Sequence, residues 1–145
     1  MLNTDKKRPL INDLERAERL RKVIDLLHEA NKSVPVIVEG KKDAAALKQL
    51  GLSGEMIILH RGKGLYEFCE DIAGRFAKVI LLMDWDTSGE RLYKSISESL
   101  VGHWEEFAPI REIIKILCRK DINDIEGIPK LLSRLEGNEH TRQGG

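Results

Sequence analysis

The sequence predicts an α/β fold, a four-stranded parallel sheet flanked by helices with an extra helix at the N-terminus. Three observations carry that reading. Short apolar runs bounded by turn residues alternate with longer stretches whose apolar residues recur at the helical period. The spacing of these runs leaves room for a helix between successive strands, the pattern of a parallel sheet with right-handed crossovers. Two of the runs also end directly in acids: Val34–Val38 runs into Glu39, and Val79–Met83 runs into Asp84-Trp85-Asp86.

The elements follow in order. Asn12 with Glu15 three residues later has the form of a capping box, and Leu14, Ala17, Leu20, Val23, Ile24, Leu27 and Ala30 then mark an amphipathic helix to about Ala30. Val34–Val38 is the first strand, with Pro35 tolerated near its start. The turn Glu39-Gly40-Lys41-Lys42 leads to a helix from about Asp43 that stops at Gly51, whose freedom at positive φ suits a position just past a helix end. Met56–Leu59 is the second strand, followed by the turn His60-Arg61-Gly62-Lys63-Gly64, a helix from Leu65 to Arg75, and a third strand from Lys78 to Met83. Thr87 or Ser88 is expected to cap the next helix, which places Leu92, Ile96 and Leu100 on one face and ends near Gly102. Ile113, Ile114, Ile116 and Leu117 read as a fourth strand, with Cys118 at its end, and Pro129 opens a last helix carrying Leu131, Leu132 and Leu135. The expected organisation is a helical extension over 1–33, an α/β domain over 34–118, a C-terminal helix packing on it over 119–136, and a mobile tail over 137–145.

Bulk properties narrow the function classes. At 145 residues the chain suits one domain, with no room for a second catalytic one. Its longest uninterrupted apolar run is Val79–Met83, too short for a membrane span, and Met1–Pro9 lacks the apolar segment of a secretory signal, so a cytoplasmic protein is expected. Cys69 and Cys118 form neither a zinc pattern nor a disulfide framework and read as reduced packing residues. With 24 basic and 24 acidic side chains the net charge is zero, so a phosphate partner has to be gripped locally rather than by a whole-molecule field.

The acids at the strand ends are the strongest functional signal. In a parallel sheet the strands' carboxyl ends share the ligand-binding edge, so Glu39, Asp84 and Asp86 are expected to gather there. Carboxylates at close range repel, and hard oxygen ligands call for Mg²⁺ or Mn²⁺. Asp84 and Asp86 stand two apart and share a side in extended geometry; helix capping is the alternative role for Asp86. Lys41, Lys42, Arg61, Lys63, Arg91, Arg119 and Lys120 follow predicted strands or turns and are candidates for phosphate contacts. Gly62 and Gly64 suggest a cradle of backbone amides, and Gly40 a close backbone approach to metal or phosphate. His60 is a candidate for proton transfer, with plain surface polarity as its alternative. The chain lacks the Gly-Lys-Ser/Thr ending of a P-loop, so ATP hydrolysis is not expected. Trp85 reads as an indole packed under the turn, with stacking on a single-stranded base as the alternative. Tyr66 and Tyr93 read as packing residues of their helices.

Val36-Ile37-Val38-Glu39-Gly40-Lys41-Lys42-Asp43, followed by Leu81-Leu82-Met83-Asp84-Trp85-Asp86-Thr87-Ser88-Gly89-Glu90, resembles the Toprim domain of topoisomerases, bacterial primases, OLD-type nucleases and ribonuclease M5. The likeness covers about Val34 to Cys118 and is greatest to small stand-alone Toprim proteins and the M5-type maturase. The resemblance implies a Rossmann-like Toprim fold and Mg²⁺-dependent phosphodiester chemistry on nucleic acid. It also implies that Asp84 and Asp86 hold metal, and that Glu39 is a further ligand or a general acid/base. Lys41, Gly62, Lys63, Gly64 and Arg91 would bind phosphate or nucleic acid. The M5-like look favours structured RNA over DNA and a nuclease-type reaction. The rival expectation is a non-catalytic, metal-dependent binding or adaptor module in a replication, repair or RNA-processing assembly, favoured by small size and zero net charge.

Overall fold

Ala17, Leu20, Val23, Ile24 and Leu27 form the buried side of α1 (Leu2–Asn31) in a computed structural model of the chain. The structure describes residues 2–59 and 64–138, with side chains from Asn12 onward. Because α1 is already helical from Leu2, Asn12 sits inside the helix, exposed, and the expected capping box does not mark its start. The far end of α1 is tied down by Asn31, a buried amide that donates to the Val34 and Glu55 carbonyls and accepts from the Gly54 N–H. A Cβ on Gly54 would lie 1.8 Å from the Asn31 carbonyl oxygen, so this junction admits only glycine.

Three strands form the sheet, β1 (Val36–Val38), β2 (Met56–Ile58) and β3 (Ile80–Leu81), in the order β2-β1-β3 with both pairings parallel. Val36 lies beside Met56 on one side and Ile80 on the other. The helices that follow are α2 (Lys41–Gln49), α3 (Leu65–Arg75), α4 (Thr87–Ser99), α5 (Ala108–Cys118) and α6 (Ile128–Leu135). Alternate strand residues feed two cores, as the period of two requires. Val36, Val38, Ile80 and Leu82 pack with α1, α2, α5 and α6, whereas Ile37, Leu81 and Met83 pack with α3 and α4. Gly51, just past α2, has φ 105°, the left-handed conformation expected of that position.

The expected fourth strand is a helix. A strand would put Ile114 and Ile116 on the same face, yet Ile114 is buried while Ile116 is 57% exposed. Ile110, Ile114 and Cys118, spaced by four, make the buried stripe of α5, whose first turn accommodates Pro109. The apolar partner supplied by α1 settles the matter, because β-branched residues disfavour a helix only weakly against tertiary packing. Cys118 therefore closes a helix rather than a strand. Both cysteines are buried and unpaired, and burial pushes the Cys118 thiol up to about 12.

Helix α6 returns across α1. Arg21 pairs with Glu136, and Asp121 joins Arg16 of α1 to Arg134 of α6. Among the described residues no helix is long and apolar enough to cross a membrane.

Candidate metal centre

β1 and β3 are neighbours, so the residues that follow them meet at one sheet edge. Glu39 reaches across that edge, and its Oε2 accepts the Asp84 backbone N–H at 2.8 Å. The Asp84 carboxylate turns toward the segment after α5, where its Oδ1 accepts the Ile125 N–H at 2.9 Å. Asp86 is exposed and acts as the N-cap of α4, its Oδ1 accepting the Gly89 N–H at 2.6 Å. The cap is thus Asp86 rather than Thr87 or Ser88. Each of these three carboxylates gives one oxygen to a backbone amide, and among the described residues the other makes no hydrogen bond.

An open cleft of about 440 Å³ lies over this edge. Glu39, Asp43, Asp84, Asp124 and Glu126 supply five carboxylates to its lining, and Lys41 and Lys42 supply two ammonium groups. Asp43 is buried at the start of α2 and accepts the Gly40 N–H at 3.1 Å. Burial raises its carboxyl above the usual range against the pull of that amide, and the nearby Glu39, Glu126 and Asp124 charges raise it further. Asp84 is pushed up to about 7, first by burial, with the Ile125 amide opposing and the Asp43, Glu39 and Asp124 charges adding. A cation at this edge would relieve both effects, which suits the donor set to a hard divalent ion. Among the described residues no three His, Cys, Asp or Glu side chains are gathered closely enough to hold an ion entirely by themselves. That spacing is compatible with Mg²⁺, which typically keeps several waters and takes one or two carboxylates.

The structure brings Glu39, Asp84, Lys41 and Lys42 together around the cleft but leaves Asp86 outside its lining, on the α4 side of the turn. Arg91 is exposed on α4 and also outside the lining, as are Arg119 and Lys120 beyond α5. Gly64 is the N-cap of α3, in extended backbone. His60, Arg61, Gly62 and Lys63 lie outside the described residues. Trp85 is packed, as expected: its indole is buried in the α1 core and donates to the Ile122 carbonyl at 2.7 Å. Tyr93 is partly buried and meets Trp104 edge-on at 5.8 Å, whereas Tyr66 is 71% exposed, on the side of α3 opposite Phe68, Cys69 and Ile72.

Four contributors are new to the site. Asp43 stood in the motif as a helix start, with nothing in its neighbours to reveal its burial. Asp124 and Glu126 stand two apart in the segment Asp121–Gly127, which packs back on the sheet edge through Ile125. Arg111 carries no signal in the sequence that sets it apart from the other basic residues. In the folded chain it is 1% exposed and lies directly beneath the Asp84 turn.

Comparison with known proteins bears on this geometry. Residues 34–116 match the model of the Toprim domain. A UPF0292 protein of Methanosarcina acetivorans is 34% identical over 124 residues, covering 84% of this chain and 83% of that protein. A UPF0292 protein of Pyrococcus horikoshii is 34% identical over 123 residues, covering 84% and 90%. A solved structure of a protein from Aquifex aeolicus aligns with a TM-score of 0.56 and 32% identity, covering 72% of this chain and 94% of that one. The chain belongs to the Toprim domain family, and this membership links it to metal-dependent nucleic-acid function.

Proposed function

We propose that the protein is a Mg²⁺-dependent enzyme of phosphodiester chemistry, with Mn²⁺ able to substitute, and that it cleaves structured RNA in the cytoplasm. The observation that carries this reading is the hydrogen bond from the Asp84 amide to Glu39, which joins two strand ends beneath an acid-lined cleft. Asp84 and Glu39 would hold the ion from the cleft through their unengaged oxygens, and Asp86, on the α4 side, would reach it through one of the ion's waters. Anchoring the other oxygen of each to an amide lowers the rotational freedom lost on binding. When bound, the ion supplies Lewis-acid polarisation of a phosphoryl oxygen and lowers the pKa of a water. Glu39 completes the ligand set or takes a proton from the attacking water.

Lys41 and Lys42 occupy the first turn of α2, where the helix dipole disfavours cations. Two ammonium groups there, beside backbone amides that favour anions, support a phosphate partner. Gly64 and Arg91, with Gly62 and Lys63 of the turn before α3, are the further phosphate contacts in this reading. In this reading residues 34–118 are the catalytic unit, and α1 and α6 are additions to one of its faces.

A binding or adaptor role in a larger assembly is the second reading, favoured by a cleft with five carboxylates to two ammonium groups in a chain of zero net charge. Turnover separates the two. The purified protein is incubated with structured RNA and with DNA of matched length, in Mg²⁺ or in EDTA. Metal-dependent cleavage of RNA, lost in Glu39→Gln, Asp84→Asn and Asp86→Asn with native circular dichroism, is the expected result. Metal-dependent binding without cleavage of either would establish the adaptor reading.

A further inference from the structure

We propose that Arg111 is a positioning residue for the metal centre, its buried guanidinium fixing the direction in which the Asp84 turn presents its carboxylate. The inference rests on the metal-centre reading above.

Its Nε donates to the Met83 carbonyl at 2.8 Å, and Nη2 donates to the Asp84 carbonyl at 2.7 Å and to Glu90 Oε1 at 3.0 Å. The guanidinium carbon lies 3.9 Å from the centroid of the Tyr93 ring. Nη1 is buried without a hydrogen bond, its carboxylate neighbour Glu112 being 3.8 Å away.

The two carbonyls lie just past the point where β3 leaves the sheet, after the bond from Leu82 N–H to the Ile37 carbonyl. Backbone oxygens there need a new partner, and a planar fork fixes the plane of both peptides at once. The other fastenings of the turn come from elsewhere. Glu39 holds the Asp84 N–H, the Asn123 carbonyl holds the Trp85 N–H, and the Ile125 N–H holds the Asp84 carboxylate. Arg111 is the fastening on the carbonyl side, and without it each of these two planar peptides is held only at its N–H edge, by Glu39 and by the Asn123 carbonyl.

Removing the guanidinium costs stability, because it leaves the Met83 and Asp84 carbonyls without their partner. Glu90 would keep Lys115 as a partner if Arg111 were replaced, so the exchange strands no carboxylate.

The test uses Mn²⁺ as the probe on the full chain, following affinity and the electron paramagnetic resonance spectrum of the bound ion. Wild type, Asp84→Asn, Arg111→Met and Arg111→Lys are compared well below their melting temperatures. Wild type is expected to bind, with Asp84→Asn much weaker. Arg111→Met is expected to bind about tenfold or more weakly, with an altered spectrum at saturation, the scale on which partners that orient metal ligands act. Arg111→Lys recovers part of the affinity, because an ammonium reaches one carbonyl without fixing a plane. A folded Arg111→Met with wild-type affinity and spectrum overturns the proposal, even if its melting temperature has fallen. Should Arg111→Met fail to fold, Arg111→Lys decides alone: an altered bound spectrum supports the role and a wild-type one overturns it. Absence of Mn²⁺ binding by wild type, or undiminished binding by Asp84→Asn, instead overturns the metal-centre reading and this inference with it.

Discussion

Asp84 concentrates the electrostatics of the site in one carboxyl. Its folded pKa of about 7 lies above the ordinary carboxylate value, so the fold favours the neutral form. For a raised acid the stability is greatest below the unfolded pKa and declines as pH rises through the folded one. In EDTA the wild type should therefore lose stability between about pH 4 and pH 7. Asp84→Asn keeps an oxygen for the Ile125 amide but carries no charge, so its melting temperature should exceed that of wild type at pH 8 and approach it at pH 4. Mg²⁺ at about 100 times its dissociation constant should add about 2.7 kcal/mol to the wild type at pH 8 and far less to the mutant. Equal Mg²⁺ responses in melting scans would remove Asp84 from the ligand set. Asp86 requires a different pair of variants because it also caps α4. Asn is as good a cap, so Asp86→Asn should melt near wild type while losing cleavage, whereas Asp86→Ala should cost about 1 kcal/mol as well. Thermal melts beside cleavage assays separate the two roles. Gly89 complements that cap: its Cβ would lie 2.3 Å from the Asp84 carbonyl oxygen, so the first turn of α4 can sit against the Asp84 turn only as glycine. Glu39 and Asp84 were readable in the sequence because each follows an apolar run directly, and Asp86 because it stands two residues after Asp84. Asp43 and Arg111 were not, because what distinguishes them is burial by residues distant in the chain.

At the level of elements, the strands and the helices α2, α3 and α4 appear close to where turn chemistry and apolar period put them. The exception is α5. Ile113, Ile114, Ile116 and Leu117 have the β-branched richness of a strand, and a run this short reads either way by composition. Arg111 and Lys115, four apart and both paired with Glu90, complete the helical period that the apolar residues alone obscure. The helix makes a sharp prediction. Ile114→Ala should cost about 2–5 kcal/mol, as for a large buried side chain, while Ile116→Lys should stay within about 0.5 kcal/mol. Urea denaturation of the two variants decides it, since a strand would have them share a face and a fate. Losing the fourth strand changes the site as well as the sheet: the segment after α5 brings Asp124 and Glu126 to the edge beside Asp84.

For the molecule as a whole, zero net charge and a cleft rich in carboxylates set how nucleic acid can be held. Few phosphates can be neutralised, so affinity should depend weakly on salt, with Lys41 and Lys42 carrying much of the dependence. Binding of a structured RNA in Mg²⁺, measured by fluorescence anisotropy across a salt series, should show a shallow logarithmic slope. Lys41→Ala and Lys42→Ala should each reduce it by about 1. A slope unchanged in both variants would move the contact surface away from α2.

Local chemistry along the chain settles that acids follow two apolar runs and where the turns around the first three strands fall, but not where α1 starts or that α5 is a helix. These depend on neighbours within a few residues. Which strands adjoin, that Glu39 clasps the Asp84 amide, that Arg111 lies buried beneath the turn, and that Asp43, Asp124 and Glu126 share its cleft are decided by packing between segments far apart in sequence. The Ile113–Leu117 segment shows the boundary between the two: its residues are compatible with both periods, and the apolar face of α1 selects the helix.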